Sequence, residues 1–484
     1  MNSMSELAIG LQWFFMLYFI GINCGYLMLN VLSLGSLKRY VESHSLDDLP
    51  RSVSGFEPPV SVLVPAYNEE ATIGGSVRSM LQLNYPDYEV VVINDGSKDG
   101  TMDALRREFA LVPFPEAYWQ RLPAQTVRAI YRSTSHPSLR VIDKENGGKA
   151  DALNAGINAA RYPLFCGVDA DSVLERDSLK RVVEPFLEDP RTIASGGTVR
   201  IANGCTVDNG FLTSVGLPRN PLALLQIVEY LRAFLFGRLG WSPLNAVLII
   251  SGAFGIFRKD VVVAAGGYRR DTVGEDMELV VRLHRLHRTR RIPYRIVFVP
   301  DPICWTEAPE SLRVLKNQRV RWQRGLSESL TMNLGLLFHP RGGAAGWLAF
   351  PFMVVFEWLG PLIEVAGYVF MITAFIFGVV STEAFITFML VAFGFGLVLS
   401  VSSLLLEELS FHIYPKPHQI GVLLLMVIVE NFGYRQINSL WRLWGLLLWM
   451  FRSKARWGDM KRTASWQSGG GGAKWTACVA DWFS

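Results

Sequence analysis

The chain has 484 residues, of which 50% are hydrophobic and only 19% are charged, and its mean hydropathy is +0.23. This composition excludes disordered, collagen-like and disulfide-rich secreted proteins, and it is unusual for a water-soluble enzyme. The 47 Lys and Arg residues nearly balance the 43 Asp and Glu residues, so the net charge of +4 does not indicate a nucleic acid as a partner. The five cysteines are far apart, which predicts reduced, mostly buried thiols and neither a zinc site nor a disulfide framework.

An uncharged stretch covers residues 7–37 near the start of the chain. It is long enough for a membrane-crossing helix, which needs about 20 apolar residues. No basic residue precedes it and no small-residue cleavage site is present, so we expect a retained anchor rather than a processed leader. Lys38 and Arg39 follow at once, which predicts that the chain from residue 38 onward faces the cytoplasm.

Short Val- and Ile-rich runs alternate with helical stretches over residues 58–305, and these runs are VSVLV, EVVVI, LRVI, LFCGV and IVFV. Strands separated by helical crossovers form a mainly parallel sheet that is covered on both faces. The predicted fold class is therefore α/β, in one cytoplasmic domain of about 250 residues. Residues 110–138 contain four prolines and fit neither period, so we interpret them as an insertion without chemistry.

A second apolar region begins after Gly342. Residues 342–382 carry only Glu357 and Glu364 as charges, and residues 384–406 carry none, which predicts at least two further membrane crossings. The two acids are seven residues apart and share one helical face. In one interpretation the two acids line an export path. In the other they lie at the end of the helix that is in contact with water at the membrane surface.

The stretch 419–451 is interrupted by three charged residues and predicts a third crossing, a hairpin, or a crossing followed by an interfacial helix. A basic cluster over residues 452–462 favours a cytoplasmic end. That orientation requires an even number of crossings after the domain, which we expect to be two or four. Residues 452–484 form a basic, Gly-rich tail to which the sequence assigns no role.

Polar residues and turn formers follow the first two predicted strands, in the runs PAYNEE and NDGSKDG. In an open parallel sheet, ligands bind outside the carboxyl ends of the strands. We expect Tyr67, Glu69, Asn94 and Asp95 to converge there on a nucleotide-like site, although no GxGxxG or GxxxxGK[ST] motif occurs at these strand ends. Ordinary turn and helix-cap chemistry is the alternative for either run taken alone.

Two later runs suggest a site for a diphosphate. KENGGKADALNAG places Gly147 and Gly148 before Lys149 at a helix start, where backbone amides and a lysine can bind an anion; a solvated first-turn lysine is the alternative. LFCGVDADS places Asp169 and Asp171 on one side of a strand end. Carboxylates this close favour a divalent cation that is also bound by substrate phosphates.

The run TVGEDMELVVRLHRL predicts a helix with Asp276 in its first turn. Glu275 and Asp276 are either helix-capping residues, or one of them is the base that takes a proton from an acceptor hydroxyl. His284 and His287 lie among five arginines. We interpret this part of the helix as a basic face near lipid headgroups or water, and not as a metal site.

The run SLRVLKNQRVRWQRGLSESL, within residues 306–340, has apolar residues near helical spacing just before the second apolar region. It predicts an amphipathic helix at the cytoplasmic interface. Trp322 is an ordinary interfacial anchor if this run is considered alone.

Six motifs occur in order over about residues 58–340: PAYNE, NDGSKDGT, NGGKADALN, DAD, GED and QRVRW. The set resembles the membrane-bound family 2 glycosyltransferases, and more narrowly the processive synthases of cellulose, hyaluronan, chitin oligosaccharides and poly-N-acetylglucosamine. The resemblance implies a GT-A type nucleotide-diphospho-sugar transferase domain inserted between transmembrane helices of the inner or plasma membrane. It implies Mg or Mn as cofactor and a UDP-sugar donor, a growing polysaccharide and the lipid bilayer as partners, and leaves an accessory membrane subunit open.

The resemblance also implies roles for individual residues. Those implied for nucleotide-sugar binding are Pro65, Tyr67, Glu69, Asp95, Lys149, Asp169 and Arg321. Those implied for acceptor binding are Ser251, Gly252, Ala253, Phe254, Gln318, Arg319 and Trp322. The implied metal ligands are Asp169 and Asp171. The implied catalytic residues are Asp276, which matches the general base of the family's TED motif, and Glu275 beside it, while Gly274 stands where the family has Thr.

The reaction implied by the resemblance is inverting transfer to a β-linked polysaccharide that is also exported across the membrane. The WTEAPES run and the short set of membrane helices favour a poly-N-acetylglucosamine type of polymer. One alternative is a non-processive glycosyltransferase that acts on a lipid carrier, and another is an inactive membrane receptor or scaffold. The presence of Asp169, Asp171, Asp276 and Trp322 speaks against the scaffold.

Overall fold

The computed structural model describes residues 3–45, 55–208, 211–414 and 416–451, so the basic cluster and the Gly-rich tail lie outside the described residues. The strands are β1 (Val60–Ala66), β2 (Tyr88–Asn94), β3 (Leu111–Pro113), β4 (Val127–Ser133), β5 (Leu139–Lys144), β6 (Leu164–Val168), β7 (Val173–Leu174), β8 (Thr192–Ile201), β9 (Thr206–Asp208), β10 (Phe211–Ser214), β11 (Phe254–Arg258) and β12 (Arg295–Thr306).

The α-helices are α1 (Ser3–Ser45), α2 (Ile73–Leu81), α3 (Thr101–Phe109), α4 (Lys149–Ala159), α5 (Ser178–Glu188), α6 (Pro221–Leu231), α7 (Lys259–Ala264), α8 (Glu275–Arg290), α9 (Leu312–Met332), α10 (Phe350–Phe352), α11 (Gly360–Ile376), α12 (Thr382–Met389), α13 (Phe395–Phe411), α14 (Pro417–Val429) and α15 (Arg435–Met450). Short π-helical segments are Arg232–Phe236, Ala345–Ala349, Met353–Trp358, Leu390–Gly394 and Glu430–Tyr434, and 3-10 segments are Leu239–Leu244 and Leu334–Leu336.

Ten strands form one sheet in the order β3-β4-β5-β2-β1-β6-β11-β8-β12-β7. The central neighbours β5, β2, β1 and β6 are parallel, and they alternate in sequence with helices, as the sequence predicts. Their Val and Ile side chains are buried on both faces, which accounts for runs without polar alternation. β11 is antiparallel to both β6 and β8, so the sheet is mixed around a parallel centre. The predicted α/β class is confirmed.

Residues 110–138 differ from the sequence-based interpretation. They contribute the antiparallel strands β3 and β4, which extend the sheet beyond β5. Pro113 ends the edge strand β3, a position where a missing N–H leaves no ladder bond unmade. β4 has only two fully buried residues out of seven, so its apolar signal is weak. Because these two strands lie at the exposed edge of the sheet, residues 110–138 do not show the apolar pattern of a buried strand.

The described residues contain three helical stretches that are long and apolar enough to cross a membrane: Glu6–Glu42, Thr382–Phe411 and Pro417–Met450. A fourth span results if the bent pair Ala345–Trp358 and Gly360–Ile376, which meets at 46°, is a single crossing. Two or three spans therefore follow the domain in the described residues, which includes the expected count of two and not that of four.

The stretch 419–451 contains most of α14 and all of α15, two helices that are joined at a kink. Its backbone leaves helical geometry at Phe432 and Gly433, and Gly433 has φ +116°. A glycine accepts this conformation at little cost, so the helix breaks between α14 and α15. Two of the three charged residues that interrupt this segment, Glu430 and Arg435, flank the break.

Buried ion pairs attach the apolar helices to the rest of the protein. Arg200 in β8 donates from Nη2 to Oε2 of Glu407 in α13 at 2.6 Å, and both side chains are buried. Arg232, just after α6, contacts Glu430 between α14 and α15 at 2.7 Å. A buried charge is tolerated when its partner is close, so each pair fixes one helix relative to the domain.

We predict that Arg200→Met destabilises the protein by about 3–5 kcal/mol, because it leaves Glu407 buried without its cation. Denaturant titration in detergent micelles measures the free energy of unfolding. The double variant R200M/E407M should recover most of the loss, since both charges are then absent. Arg191→Met, which removes a guanidinium group that is 64% exposed and pairs with Asp189, is the matched control and should change little. Equal losses in R200M and R191M would contradict the prediction.

Candidate active site

The loop after β1 carries three of the predicted donor-site residues. Pro65 is still within β1, whereas Tyr67 and Glu69 follow the strand, and the Tyr67 side chain is 40% exposed. The Glu69 N–H donates to Thr101 Oγ1 at 2.9 Å, and Glu69 Oε2 accepts from Thr72 Oγ1 at 2.8 Å. Glu69 thus makes the turn and helix-start interactions that the sequence offered as an alternative.

Asp95, after β2, is buried beneath the glycine loop that precedes α4. Its carboxylate accepts the N–H groups of Gly147 at 3.0 Å and Gly148 at 2.7 Å, and the Asn146 side-chain amide at 3.2 Å. It also pairs with the buried Lys144 ammonium group. Gly148 has φ +89°, which favours glycine at this turn. Asp95 therefore fixes the conformation of the predicted anion-binding loop through these hydrogen bonds.

Asp151, in the first turn of α4, is a second buried carboxylate under this loop, and sequence reasoning missed it. It accepts from Lys144 Nζ at 2.7 Å, from Arg270 Nη1 at 2.9 Å and from the Gln125 N–H at 2.9 Å. Burial alone raises the pKa of Asp151, but the bonds from Lys144 and Arg270 contribute to a pKa below the ordinary value. Its place within the NGGKADALN run was the signal in the sequence.

Lys149 connects two acidic groups that are more than a hundred residues apart. Its Nζ lies 2.5 Å from Asp169 Oδ1 and 3.9 Å from Glu275 Oε1, and it donates to the Gly252 carbonyl at 3.2 Å. Burial lowers the pKa of Lys149, but the carboxylates of Asp169 and Glu275 outweigh this and raise it. Lys149 is therefore not the solvated first-turn lysine of the alternative interpretation.

Asp276 is held by backbone groups at the start of α8. Its Oδ2 accepts the Gly252 N–H at 2.9 Å, and its Oδ1 accepts the Met277 N–H at 2.7 Å. A Cβ atom on Gly252 would lie 2.9 Å from Lys149 Nζ and 3.3 Å from Asp276 Oδ2. A glycine at position 252 therefore lets the lysine and the carboxylate approach the same stretch of backbone.

The segment before β11, predicted to receive the acceptor, packs directly against the acidic residues. Ser251, Gly252 and Ala253 are partly buried, and the Ala253 carbonyl accepts the Asp169 N–H at 3.4 Å. Phe254 is the first residue of β11 and is fully buried, so it belongs to the sheet and not to a loop. The sequence did not reveal this strand because it is short and contains a glycine.

Asp169 and Asp171 both follow β6, as predicted. The Asp169 side chain is 29% exposed, whereas Asp171 is buried, with its Oδ2 3.4 Å from Thr306 Oγ1. Burial, and also the charges of Asp169 and Asp171, raise the pKa of the Cys304 thiol, so both carboxylates lie near it. No group of three or more His, Cys, Asp or Glu side chains among the described residues is arranged to hold a metal ion. Two carboxylates of this kind fit Mg²⁺ or Mn²⁺ when substrate phosphates complete the ligand set.

Gly274, which replaces the family's Thr, lies against Gly325 of α9. A Cβ atom on Gly274 would be 2.8 Å from Gly325 Cα, and one on Gly325 would be 2.8 Å from Gly274 Cα. Only backbone atoms meet there, so a larger residue at either position would force the two helices apart. This close approach leaves no room for a side chain at position 274 and fixes the start of α8, with Glu275 and Asp276, against α9.

Part of α8 differs from the predicted basic face. His284 is fully buried, with Nδ1 2.7 Å from the Tyr294 hydroxyl and Nε2 2.8 Å from the Val247 carbonyl oxygen. Arg282 is also buried, and its Nη2 bonds to Glu278 Oε2 at 2.9 Å. The sequence shows a run of cations, but internal partners allow two of them to pack inside. The interpretation of these two residues as solvent- or lipid-facing was wrong.

α9 carries the QRVRW run and is more deeply packed than an interfacial helix need be. Arg319 is buried, with Nη2 2.6 Å from Glu229 Oε2 of α6 and its guanidinium carbon 4.3 Å from the Trp322 ring centroid. Gln318 is buried too, Arg321 is partly buried, and Trp322 is 44% exposed. Glu229, a lone acid within an apolar helix, is a partner that the sequence did not reveal.

Comparison with known proteins agrees with this geometry. The model of glycosyl transferase family group 2 matches residues 165–399, and that of glycosyl transferase family 2 matches residues 61–117. Glycosyltransferase family 2 domain sequence is thus present in two stretches of the chain.

Curated relatives from two Staphylococcus species carry the name poly-beta-1,6-N-acetyl-D-glucosamine synthase. That of Staphylococcus epidermidis is 30% identical over 272 residues, which are 56% of this chain and 55% of the relative. That of Staphylococcus aureus strain COL is 32% identical over 274 residues, with the same coverage of 56% and 55%. The chain thus spans about half the length of the curated relatives it matches. A solved mannosyltransferase from Pyrobaculum calidifontis, in complex with GDP-Man and Mn²⁺, has a TM-score of 0.48 and 18% identity, and the match covers 90% of this chain and 100% of that chain.

Glu275 is expected to make the stability of the protein depend on pH. Burial raises its pKa from 4.5 to about 7, although Lys149 nearby lowers it. Between these two pH values the folded protein holds a proton that the unfolded chain has released. The contribution of Glu275 to stability therefore falls as the pH rises from about 4.5 to about 7 and is constant above that.

We predict that Glu275→Gln removes this fall, so its melting temperature relative to the wild type rises as the pH increases from about 4.5 to about 7. Melting curves of both proteins in the same detergent and buffers measure the difference. Because other titrating groups are common to both proteins, the difference isolates Glu275. A difference that is independent of pH would contradict the burial of an uncharged Glu275.

Proposed function

We propose that this family 2 glycosyltransferase is an inverting, divalent-cation-dependent enzyme that adds sugars from a UDP-sugar to a growing β-linked polysaccharide of the poly-N-acetylglucosamine type. The observation that carries the proposal is the contact of Lys149 with both Asp169 and Glu275. Through it, the acids of the β6 strand end and those of the α8 helix start share one site. The names of the curated relatives support the choice of polymer.

The donor would lie at the carboxyl ends of β1, β2 and β6, as ligands do in open sheets of this class. Asp169 and Asp171 would hold a divalent cation, which would neutralise the charge of the leaving diphosphate. Lys149 and the positive end of the α4 helix dipole favour a phosphate at the start of α4, whereas the Gly147 and Gly148 N–H groups already bond to Asp95. Arg321, the second arginine of the QRVRW run, remains our proposed diphosphate contact on the side of α9.

Asp276 is the proposed general base. Its two bonds from backbone N–H groups fix the direction of the carboxylate, and Gly252 supplies one of them from the proposed acceptor segment. An acceptor hydroxyl bound beside this segment would give its proton to Asp276 while it attacks the anomeric carbon. Attack from the side opposite to the diphosphate inverts that carbon, so an α-linked donor gives a β-linked product. The exposed Trp322 ring offers a face on which an acceptor sugar can stack.

The proposed cellular arrangement is a multi-pass protein of the inner or plasma membrane with a cytoplasmic transferase domain and an export path for the polymer. Apolar helices on both sides of the domain support it. Glu357 and Glu364 do not carry the export proposal, because each has a partner in another helix. Glu357 Oε2 accepts from Arg442 Nη2 at 2.7 Å, and Glu364 Oε2 accepts from the Ser439 hydroxyl at 2.6 Å.

We predict that Asp276→Asn lowers transfer by about 10²-fold or more while UDP binding in the presence of Mn²⁺ stays within a factor of two. The reason is that the amide keeps the shape of the side chain and cannot accept the proton. Scintillation counting of labelled polymer measures transfer, and calorimetry measures binding. Asp103→Asn, an exposed residue of α3, is the matched control and should change neither value.

Asp171→Ala should instead remove the Mn²⁺-dependent binding of UDP. An active D276N enzyme would contradict the assignment of Asp276 as the base. Retained Mn²⁺-dependent UDP binding in D171A would contradict a cation site at the end of β6.

The size and linkage of the product distinguish this function from its alternatives. Membranes that contain the protein are incubated with a panel of labelled UDP-sugars and Mg²⁺ or Mn²⁺, and the product is sized and digested with linkage-specific hydrolases. We expect long β-linked chains from UDP-N-acetylglucosamine. One sugar per acceptor would identify a non-processive transferase, and no UDP release from any donor would favour a scaffold.

A further inference from the structure

A five-residue segment leads directly into the proposed catalytic acids, and it is attached on two sides. The 270–274 segment ends where α8 begins with Glu275. On one side, Arg270 Nη1 bonds to Asp151 Oδ2 at 2.9 Å. On the other, the Thr272 hydroxyl and the Val273 N–H both donate to Glu328 Oε2 of α9 at 2.9 Å. The segment therefore bridges the glycine loop of α4 and the helix with the QRVRW run.

The attachment to Asp151 continues towards the donor side of the site. Asp151 has no exposed surface and holds Lys144, which also has none. Lys144 in turn pairs with Asp95, whose carboxylate accepts the N–H groups of Gly147 and Gly148. A continuous series of charged contacts thus runs from the proposed anion-binding loop to the segment before the proposed base. Charged groups buried in this way keep their geometry, because a displaced partner leaves an unpaired buried charge.

We infer that Asp151 is a positioning residue for transfer: with Arg270 it sets the place of Glu275 and Asp276 relative to the donor loop. This inference rests on the proposed function, and it gives a role to Asp151 of the NGGKADALN run and to Arg270, which lies outside the six motifs. Asp151 acts through Arg270 on the acid side and through Lys144 on the donor side. Ordering of the glycine loop by a bound nucleotide is thereby transmitted to the base.

Arg270 is the residue with which to test the link, because its side chain is 43% exposed and its loss leaves the Asp151–Lys144 pair in place. We expect Arg270→Gln to lower kcat about 10-fold, since small displacements of a catalytic group are costly, with the Kd for UDP and Mn²⁺ changed less than twofold. Arg270→Lys should recover part of the loss.

Arg269→Gln is the matched control. Arg269 is 41% exposed and pairs with Asp271, two residues away in the same loop, so its replacement should leave kcat and the Kd for UDP unchanged. Melting temperatures of both variants check that the fold is intact. A kcat for R270Q equal to that of R269Q would overturn the inference. Equal losses of kcat and UDP affinity in R270Q would also overturn it, because they indicate general disruption.

Hydrogen exchange gives a readout that does not depend on turnover. Addition of UDP with Mn²⁺ should slow amide exchange over residues 270–277 in the wild type and in R269Q, and should have little effect there in R270Q. Protection without transfer from any UDP-sugar would support the link and refute the proposed function. Equal protection in R270Q and the wild type would refute the link while transfer by the wild type still upheld the function.

Discussion

The contact between the Lys149 ammonium group and the carboxylates of Asp169 and Glu275 is the interaction on which the arrangement of the site depends. Without a cation between them, acids from a strand end and a helix start would repel each other in a partly buried place. The lysine also reaches the Gly252 carbonyl, so the backbone that holds Asp276 belongs to the same unit. Donor binding would place a diphosphate and a divalent cation beside this lysine, where they would exchange partners with it.

The parallel centre of the sheet and its polar strand ends were predictable from the sequence, because their signals are local. Fully buried strands appear as short Val- and Ile-rich runs, and the chain must turn where each run stops. The five predicted runs correspond to strands, and α8 begins at Glu275 as predicted. The strands β3 and β4 were not predicted, because they lie at a half-exposed edge of the sheet and lack a continuous apolar run. The strands β8 and β11 were also missed, although both are buried.

The partners of the site residues could not be predicted, because they come from distant parts of the chain. Asp95 and Asp169 stand out as acids at strand ends, but nothing local shows that Asp95 holds a backbone loop whereas Asp169 meets a lysine. Glu229 and Gly325 are ordinary members of helices until α6 and α8 are placed against α9. Gly274 is another example. The backbone atoms that leave no room for a side chain there belong to Gly325, fifty-one positions later in the chain.

The same principle changes the meaning of acids in the apolar helices. A carboxylate within a hydrophobic stretch indicates function when it is considered by itself, because its burial is costly. Here Glu407 and Glu430 meet Arg200 and Arg232, which lie outside the membrane-spanning stretches. Each of these acids pairs with one arginine of the transferase fold and so fixes its helix relative to that fold. Glu357 and Glu364 follow the same rule, since they meet Arg442 and Ser439 of α15.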